Sequence, residues 1–306
     1  RRRREYDILQ VFQLTLITLP ALLVCRLARK RLVVAMRNDA SPPLRTGETG
    51  YQRRTRTRAD LESLERLGRP FLRVMNRQLR LTRARLVVLS SRMQASLKRC
   101  GLEGDGVLLI PNGVDTMYFQ PLTGQREAPL LVICVARMRY QKGIDILLRA
   151  WWQVIKQAPR ARLLIVGDGP LLDSLECLTE NLGLASSVEF TGFCANVLTQ
   201  LQRAHIAVLP SRWEGMSNAL LEAMSCGLAC VATRVSGSED LLQEDTYGLL
   251  VEPEDAEGLA TALLRLLRQP DLAQHYGQLA RQYVEQDYAF HHVMDRYVEL
   301  YEEIIV

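Results

Sequence analysis

Two glutamates, Glu214 and Glu222, are separated by seven residues within Pro210-Ser211-Arg212-Trp213-Glu214-Gly215-Met216-Ser217-Asn218-Ala219-Leu220-Leu221-Glu222-Ala223-Met224. The apolar run Ile206–Leu209 before them reads as a strand, and Asn218–Cys226 reads as a helix. Glu214 then falls in the connecting loop and Glu222 a turn or more inside the helix. The amides of Met216, Ser217, Asn218 and Ala219 become the free N–H groups of a helix start, which attract anions. Carboxylates on either side of such a start can grip the hydroxyls of a sugar and of a ribose. Glu222 also reads as an ordinary solvated helix residue. Its neighbours Leu220, Leu221, Ala223 and Met224 are apolar, however, and a carboxylate among them calls for a partner.

Two further patches follow strand-like runs. After Leu130–Val135 comes Ala136-Arg137-Met138-Arg139-Tyr140-Gln141-Lys142-Gly143, which sets Arg137 and Lys142 on a loop opening into a helix. Two cations beside a strand end suit a diphosphate whose charge grows as it leaves. The same loop could be a solvated basic surface, but Lys142 is one of only four lysines in a chain that otherwise uses Arg. After Arg162–Val166, Gly167-Asp168-Gly169-Pro170 allows close backbone approach to a ligand at Gly169. It serves equally as a plain strand-to-helix turn. It is no dinucleotide fingerprint, because no third glycine follows.

The elements that must position these patches alternate along the chain. Strand-like runs are expected at Asp7–Val11, Leu32–Met36, Leu86–Leu89, Val107–Ile110, Leu130–Val135, Arg162–Val166, Ser187–Phe190, Ile206–Leu209 and Leu228–Ala232. Their continuous Val/Ile/Leu character is that of parallel strands covered on both faces. Helix periodicity lies between them at Ile144–Lys156, Leu171–Leu182, Val197–Arg203, Asn218–Cys226 and Ala256–Leu267, with an Arg-rich stretch over Arg58–Thr82. This is an α/β doubly wound pattern, in which ligands bind beyond the C-terminal ends of strands. Phe119–Gln125 lacks periodicity and carries Pro and Gly, so a boundary is expected near 115–125. The predicted domains are 1–115, 116–287 and a last helix, 288–306, crossing back to the first.

Composition narrows the class. A chain of 306 residues favours about two domains. Seven cysteines (25, 100, 134, 177, 194, 226 and 230) lack paired spacing, which points to buried thiols in a reducing, cytoplasmic setting. The four histidines make no zinc spacing with them. Residues 1–100 hold 24 Lys/Arg against 7 Asp/Glu, a balance of +17, while the remainder sums to −12. That asymmetry suggests an anionic neighbour, such as lipid headgroups at the inner face of a membrane or a phosphorylated acceptor. An arginine-heavy codon bias would inflate the same count. No nucleic-acid motif accompanies the charge, so no nucleic-acid partner is expected. Ile8–Cys25 is long enough to span a bilayer but carries Gln10, Gln13, Thr15, Thr18 and Pro20; a strand followed by an apolar helix explains it as well.

Together the patches resemble the retaining GT-B glycosyltransferases of family 4. The resemblance runs from about Asp7 to the C-terminus and is strongest over Pro111–Leu242. It implies two Rossmann-like domains facing a cleft, the N-terminal one incomplete. It further implies that Arg137 and Lys142 hold the donor diphosphate, that Glu214 touches the transferred sugar and that Glu222 binds the ribose. By the same resemblance, Phe193 lies near the base and Pro111-Asn112-Gly113-Val114-Asp115 leads into the interdomain linker. Two departures are evident. About two or three strand–helix units that usually precede the equivalent of Asp7 are absent, using about 30 residues each. Where many members carry His, Arg37-Asn38-Asp39 stands instead, which leaves Arg37 and Asn38 as acceptor-side candidates.

The implied reaction moves a hexose from a nucleoside diphosphate, UDP by the look of Glu214–Met224, to an acceptor hydroxyl with retention. No D-x-D metal motif stands in a suitable place, so no metal or other cofactor is expected. Cell-envelope polysaccharide or glycolipid synthesis fits a lipid-linked or anionic acceptor. Two rivals share the architecture: a UDP-GlcNAc 2-epimerase-like enzyme, and a nucleotide-sugar-binding remnant without turnover.

Overall fold

The computed structural model describes residues 8–12, 25, 27, 30–36, 76–99, 101–102, 104, 106–124 and 130–305. The chain divides into two compact units, Arg1–Pro111 with Met294–Val306, and Asn112–Val293.

In the first unit, β1 (Ile8–Phe12), β2 (Arg31–Ala35), β3 (Arg85–Val88) and β4 (Val107–Leu109) form a parallel sheet in sequence order. Leu32, Val33, Val34, Leu86, Val87 and Val88 are all buried, which covered parallel strands require. Helix α1 (Ser91–Arg99) follows β3, with Met93 and Leu97 buried one turn apart. The Ser90 hydroxyl accepts the Met93 amide at its start, and Lys98 and Arg99 sit where the helix dipole favours cations. From the C-terminal residues, the Tyr301 hydroxyl donates to Gln10 Oε1 at 2.8 Å and Glu303 pairs with Arg85. The segment Ile8–Cys25 begins as strand β1, paired in register with β2 from Ile8↔Arg31 to Phe12↔Ala35. Residues 13–24 lie outside the described ones, as do 58–75 of the Arg-rich stretch. No helix among the described residues is long and apolar enough to cross a membrane.

The second unit holds β5 (Leu131–Val135), α2 (Ile144–Gln157), β6 (Arg162–Val166), α3 (Leu172–Asn181), β7 (Val188–Gly192), α4 (Val197–Arg203), β8 (Ile206–Leu209), α5 (Asn218–Ser225), β9 (Ala229–Thr233), α6 (Ser236–Leu242), β10 (Leu249–Val251), α7 (Ala256–Arg268) and α8 (Pro270–Asp287). Its strands run in the order β10-β9-β8-β5-β6-β7, every pair parallel. The chain builds outward from β5 on one side through β6 and β7, then returns to build outward through β8, β9 and β10. The order therefore reverses between β5 and β8, where the loops diverge and leave a crevice at their carboxyl ends. Below it, Val132, Cys134, Leu163, Ile165, Val208 and Val231 pack with Leu147, Trp151 and Val154 of α2 and Leu259, Leu263 and Leu267 of α7. Trp151 is fully buried, and its indole N–H donates to the Ser187 hydroxyl at 3.2 Å.

The unit boundaries fall at 111/112 and 293/294 rather than at the expected 115/116 and 287/288. Backbone pairing explains the shift. The Val114 amide donates to Tyr288 O and the Phe290 amide to Val114 O, so both segments belong to the second unit. The last helix, α9, spans Phe290–Ile305.

Candidate functional site

The loops after β5 and β8 meet at the reversal point. Arg137 is exposed just past β5, and a one-turn 3-10 helix, Tyr140–Lys142, then brings the Lys142 ammonium onto the Glu214 carboxylate. Glu214 is 5% exposed, and its Oε1 also accepts the Ser211 hydroxyl at 3.0 Å. A buried carboxylate held by a cation and a hydroxyl has a fixed direction.

Backbone contacts leave these loops little freedom. Gly143 has φ 62°, and a Cβ there would stand 2.0 Å from Pro210 O. The Arg212 amide donates to Gln141 O at 2.8 Å, and the Gln141 side chain returns a bond to Trp213 O at 2.9 Å. Met138 bonds through both backbone groups to the loop after β6, donating to Asp168 O and accepting from the Leu171 amide. Gly169 lies against the same Met138 backbone, where a Cβ would be 2.6 Å from Met138 O. Gly169 thus serves tight loop packing.

Arg212 knits the loops together. Its guanidinium takes both oxygens of Asp145 at 2.8 and 2.7 Å, donates to Tyr140 O at 2.7 Å, pairs with Glu254 and lies 3.9 Å from the Tyr140 ring. Burial pulls its pKa down, but bonds and charges from Asp145 and Glu254 outweigh that and leave it above the ordinary value. Sequence reasoning passed over Arg212, although it sits inside the glutamate-bearing run.

Helix α5 starts as expected, with Ser217 as N-cap; its hydroxyl accepts the Leu220 amide at 3.4 Å, and intrahelical bonding begins with Leu221 N to Ser217 O. The amides of Met216 to Ala219 precede that bond. Gly215, Met216 and Ser217 are buried, Ala219 is half-buried and Asn218 is exposed. The Asn112 side-chain amide donates to Met216 O at 3.2 Å and to Asn218 Oδ1 at 2.8 Å, bracing the helix start from the Pro111–Asp115 segment. Gly237, at the start of α6, presses on the other side, donating its amide to Gly215 O at 2.8 Å. Glu222, the fifth residue of α5, is half-buried, and burial pushes its carboxyl up to about 7.

Phe193, beyond β7, is 81% exposed. Burial pushes the Cys134 thiol up to about 12 despite the opposing charge of Lys142, so this cysteine beneath the loop is inert. Arg37 and Asn38 lie outside the described residues.

The stretch of chain that forms the second unit is similar to known proteins. Residues 129–269 match the family model described as Glycosyl transferases group 1. N-acetyl-alpha-D-glucosaminyl L-malate synthase of Bacillus anthracis is 30% identical over 182 residues, 60% of this chain and 48% of the relative. The gpi3 subunit of phosphatidylinositol N-acetylglucosaminyltransferase from Schizosaccharomyces pombe is 34% identical over 147 residues, 47% of this chain and 32% of the relative. The chain thus spans about half or less of these curated relatives. Among solved structures, HepE of Anabaena in complex with UDP superposes with a TM-score of 0.79 at 19% identity, covering 99% of this chain and 80% of HepE. A glycosyltransferase of Rickettsia africae gives 0.81 at 18%, covering 99% and 78%. The fold is GT-B, two parallel-sheet α/β domains.

Proposed function

From a chain that carries a glycosyl transferases group 1 domain over residues 129–269, we propose a retaining glycosyltransferase that moves a hexose from UDP to an acceptor hydroxyl. The observation that carries this reading is the Lys142–Glu214 pair, which joins the loop that also bears Arg137 to the loop that opens α5, at the strand-order reversal.

As the glycosidic bond breaks, the departing diphosphate gains charge. Arg137, Lys142 and the amides of Met216 to Ala219 take up that charge; loss of one such contact costs about 10²–10³ in rate. Glu214, held by Ser211 and Lys142, keeps a free oxygen for a sugar hydroxyl. Glu222 accepts the ribose hydroxyls, and donated hydrogen bonds draw its carboxyl back down from about 7. The acceptor attacks from the face the diphosphate leaves, which retains the anomeric configuration.

An anionic or lipid-linked acceptor at the cytoplasmic face of a membrane is supported by the +17 balance of residues 1–100. Similarity to a protein named for phosphatidylinositol N-acetylglucosaminyl transfer supports it too, in the setting of cell-envelope polysaccharide or glycolipid synthesis. The test is UDP release from a panel of UDP-, GDP- and ADP-hexoses, with the anomer of the released or transferred sugar read by NMR. Turnover of one UDP-hexose to the α product upholds the reading. Turnover with inversion, or only from another nucleotide, overturns that part of it.

A further inference from the structure

We propose that Arg139 is a third cationic contact for the donor diphosphate, an inference that rests on the donor-site reading above. The loop after β5 carries three cations, Arg137, Arg139 and Lys142, and a nearby fourth, Arg212. Two of the four are committed. Lys142 pairs with Glu214, and Arg212 is taken up by Asp145, Glu254 and Tyr140 O. Arg139 differs from both: among the described residues its Nε is buried with no hydrogen-bond partner, and no ion pair involves its guanidinium.

Local backbone geometry puts it beside Arg137. The Arg139 amide donates to Arg137 O at 2.7 Å, closing a three-residue turn about Met138. Met138 is fully buried and anchored through both backbone groups to the loop after β6, so the turn is fixed. The two arginines are the ends of that turn. Arg139 itself is extended (φ −130°, ψ 155°) at the start of the Tyr140–Lys142 turn and spends no side-chain bond on capping it.

Charge balance supplies the chemistry. With the Lys142 charge shared with Glu214, Arg137 and Lys142 together offer less than two full cations to a diphosphate that carries a charge on each phosphate and develops another on leaving. A partly desolvated guanidinium with no partner is costly unless an anion completes it, and its fork suits phosphate oxygens. Arg139 meets both needs. It discriminates a diphosphate from a monophosphate, while Glu222 reads the ribose.

The experiment is calorimetric titration of the full chain and of Arg139→Gln and Arg139→Lys with UDP and with UMP, alongside thermal unfolding of each. The expected result is UDP binding weakened about 10- to 100-fold in Arg139→Gln, with UMP affinity and unfolding temperature held. Arg139→Lys, which keeps the charge, is expected to recover part of the loss. UDP affinity within twofold of the parent overturns the proposal, and so does an equal loss for UMP with a lowered unfolding temperature, which marks a structural role. A parent chain that binds neither UDP, GDP nor ADP overturns the donor-site reading itself and this inference with it.

Discussion

Replacing Arg212 with methionine tests whether the loops at the β5/β8 reversal are held as a unit. The substitution removes two bonds to Asp145, one to Tyr140 O and the pair with Glu254, and it leaves two carboxylates facing each other. Removing one partner of a buried ion pair costs about 3–5 kcal/mol. The Arg212 side chain is 6% exposed, but Asp145 is 36% and Glu254 53% exposed, so water takes up much of the stranded charge. The discounted cost is about 2–3 kcal/mol. At about 2–4 °C per kcal/mol for a unit of this size, the unfolding temperature should fall by about 5–10 °C. UDP affinity should fall with it, because Arg212 ties the Tyr140–Lys142 turn to the glutamate-bearing loop. Arg212→Lys should recover less than half, since an ammonium cannot fork between two carboxylate oxygens. Adding Asp145→Asn and Glu254→Gln to Arg212→Met should regain stability by removing the stranded charges. Calorimetric unfolding and UDP titration read both effects. An unfolding temperature within about 2 °C of the parent, with UDP affinity unchanged, would refute the reasoning.

Three further substitutions have expected outcomes. The folded-state carboxyl of Glu222 is raised to about 7 from an ordinary 4.5, so the folded chain holds its proton longer than the unfolded one. Stability relative to Glu222→Gln should therefore decline as pH rises from 4.5 to about 7 and stay level beyond, as thermal melts across that range would record; a flat difference contradicts the burial argument. Gly143→Ala puts a Cβ 2.0 Å from Pro210 O at φ 62°, and should cost about 2–5 kcal/mol from the left-handed backbone and the clash together. Gly183→Ala, at φ 70° with nothing within 4 Å, should cost only about 1–2 kcal/mol in denaturant melts.

The strand-and-helix alternation was legible because buried parallel strands are continuous apolar runs. Arg162–Val166 and Ile206–Leu209 stand where expected, and α2 and α5 differ from expectation by one residue at their C-terminal ends. Shorter elements escaped. β10 is three residues long, and α6, Ser236–Leu242, opens with Ser, Gly and Ser, which are weak helix formers. Strand order was not legible either, because pairing partners lie far apart in sequence; β5 pairs with β8 across more than 70 residues. In the candidate site the glutamate spacing and the cation loop announced themselves. Arg212 did not, since its partners Asp145 and Glu254 lie 67 and 42 residues away. Asn112 stood out only as part of the segment leading into the interdomain linker, though its side chain braces the start of α5.

The proposed function stands on the binding of a nucleoside diphosphate by the loops at the β5/β8 reversal. Calorimetric titration with UDP, GDP and ADP, using Glu222→Ala as the paired variant, tests it most directly. The expected result is one site that prefers UDP and is lost or strongly weakened in Glu222→Ala. Folded protein that binds none of the three, or binds UDP equally well with and without Glu222, would contradict it.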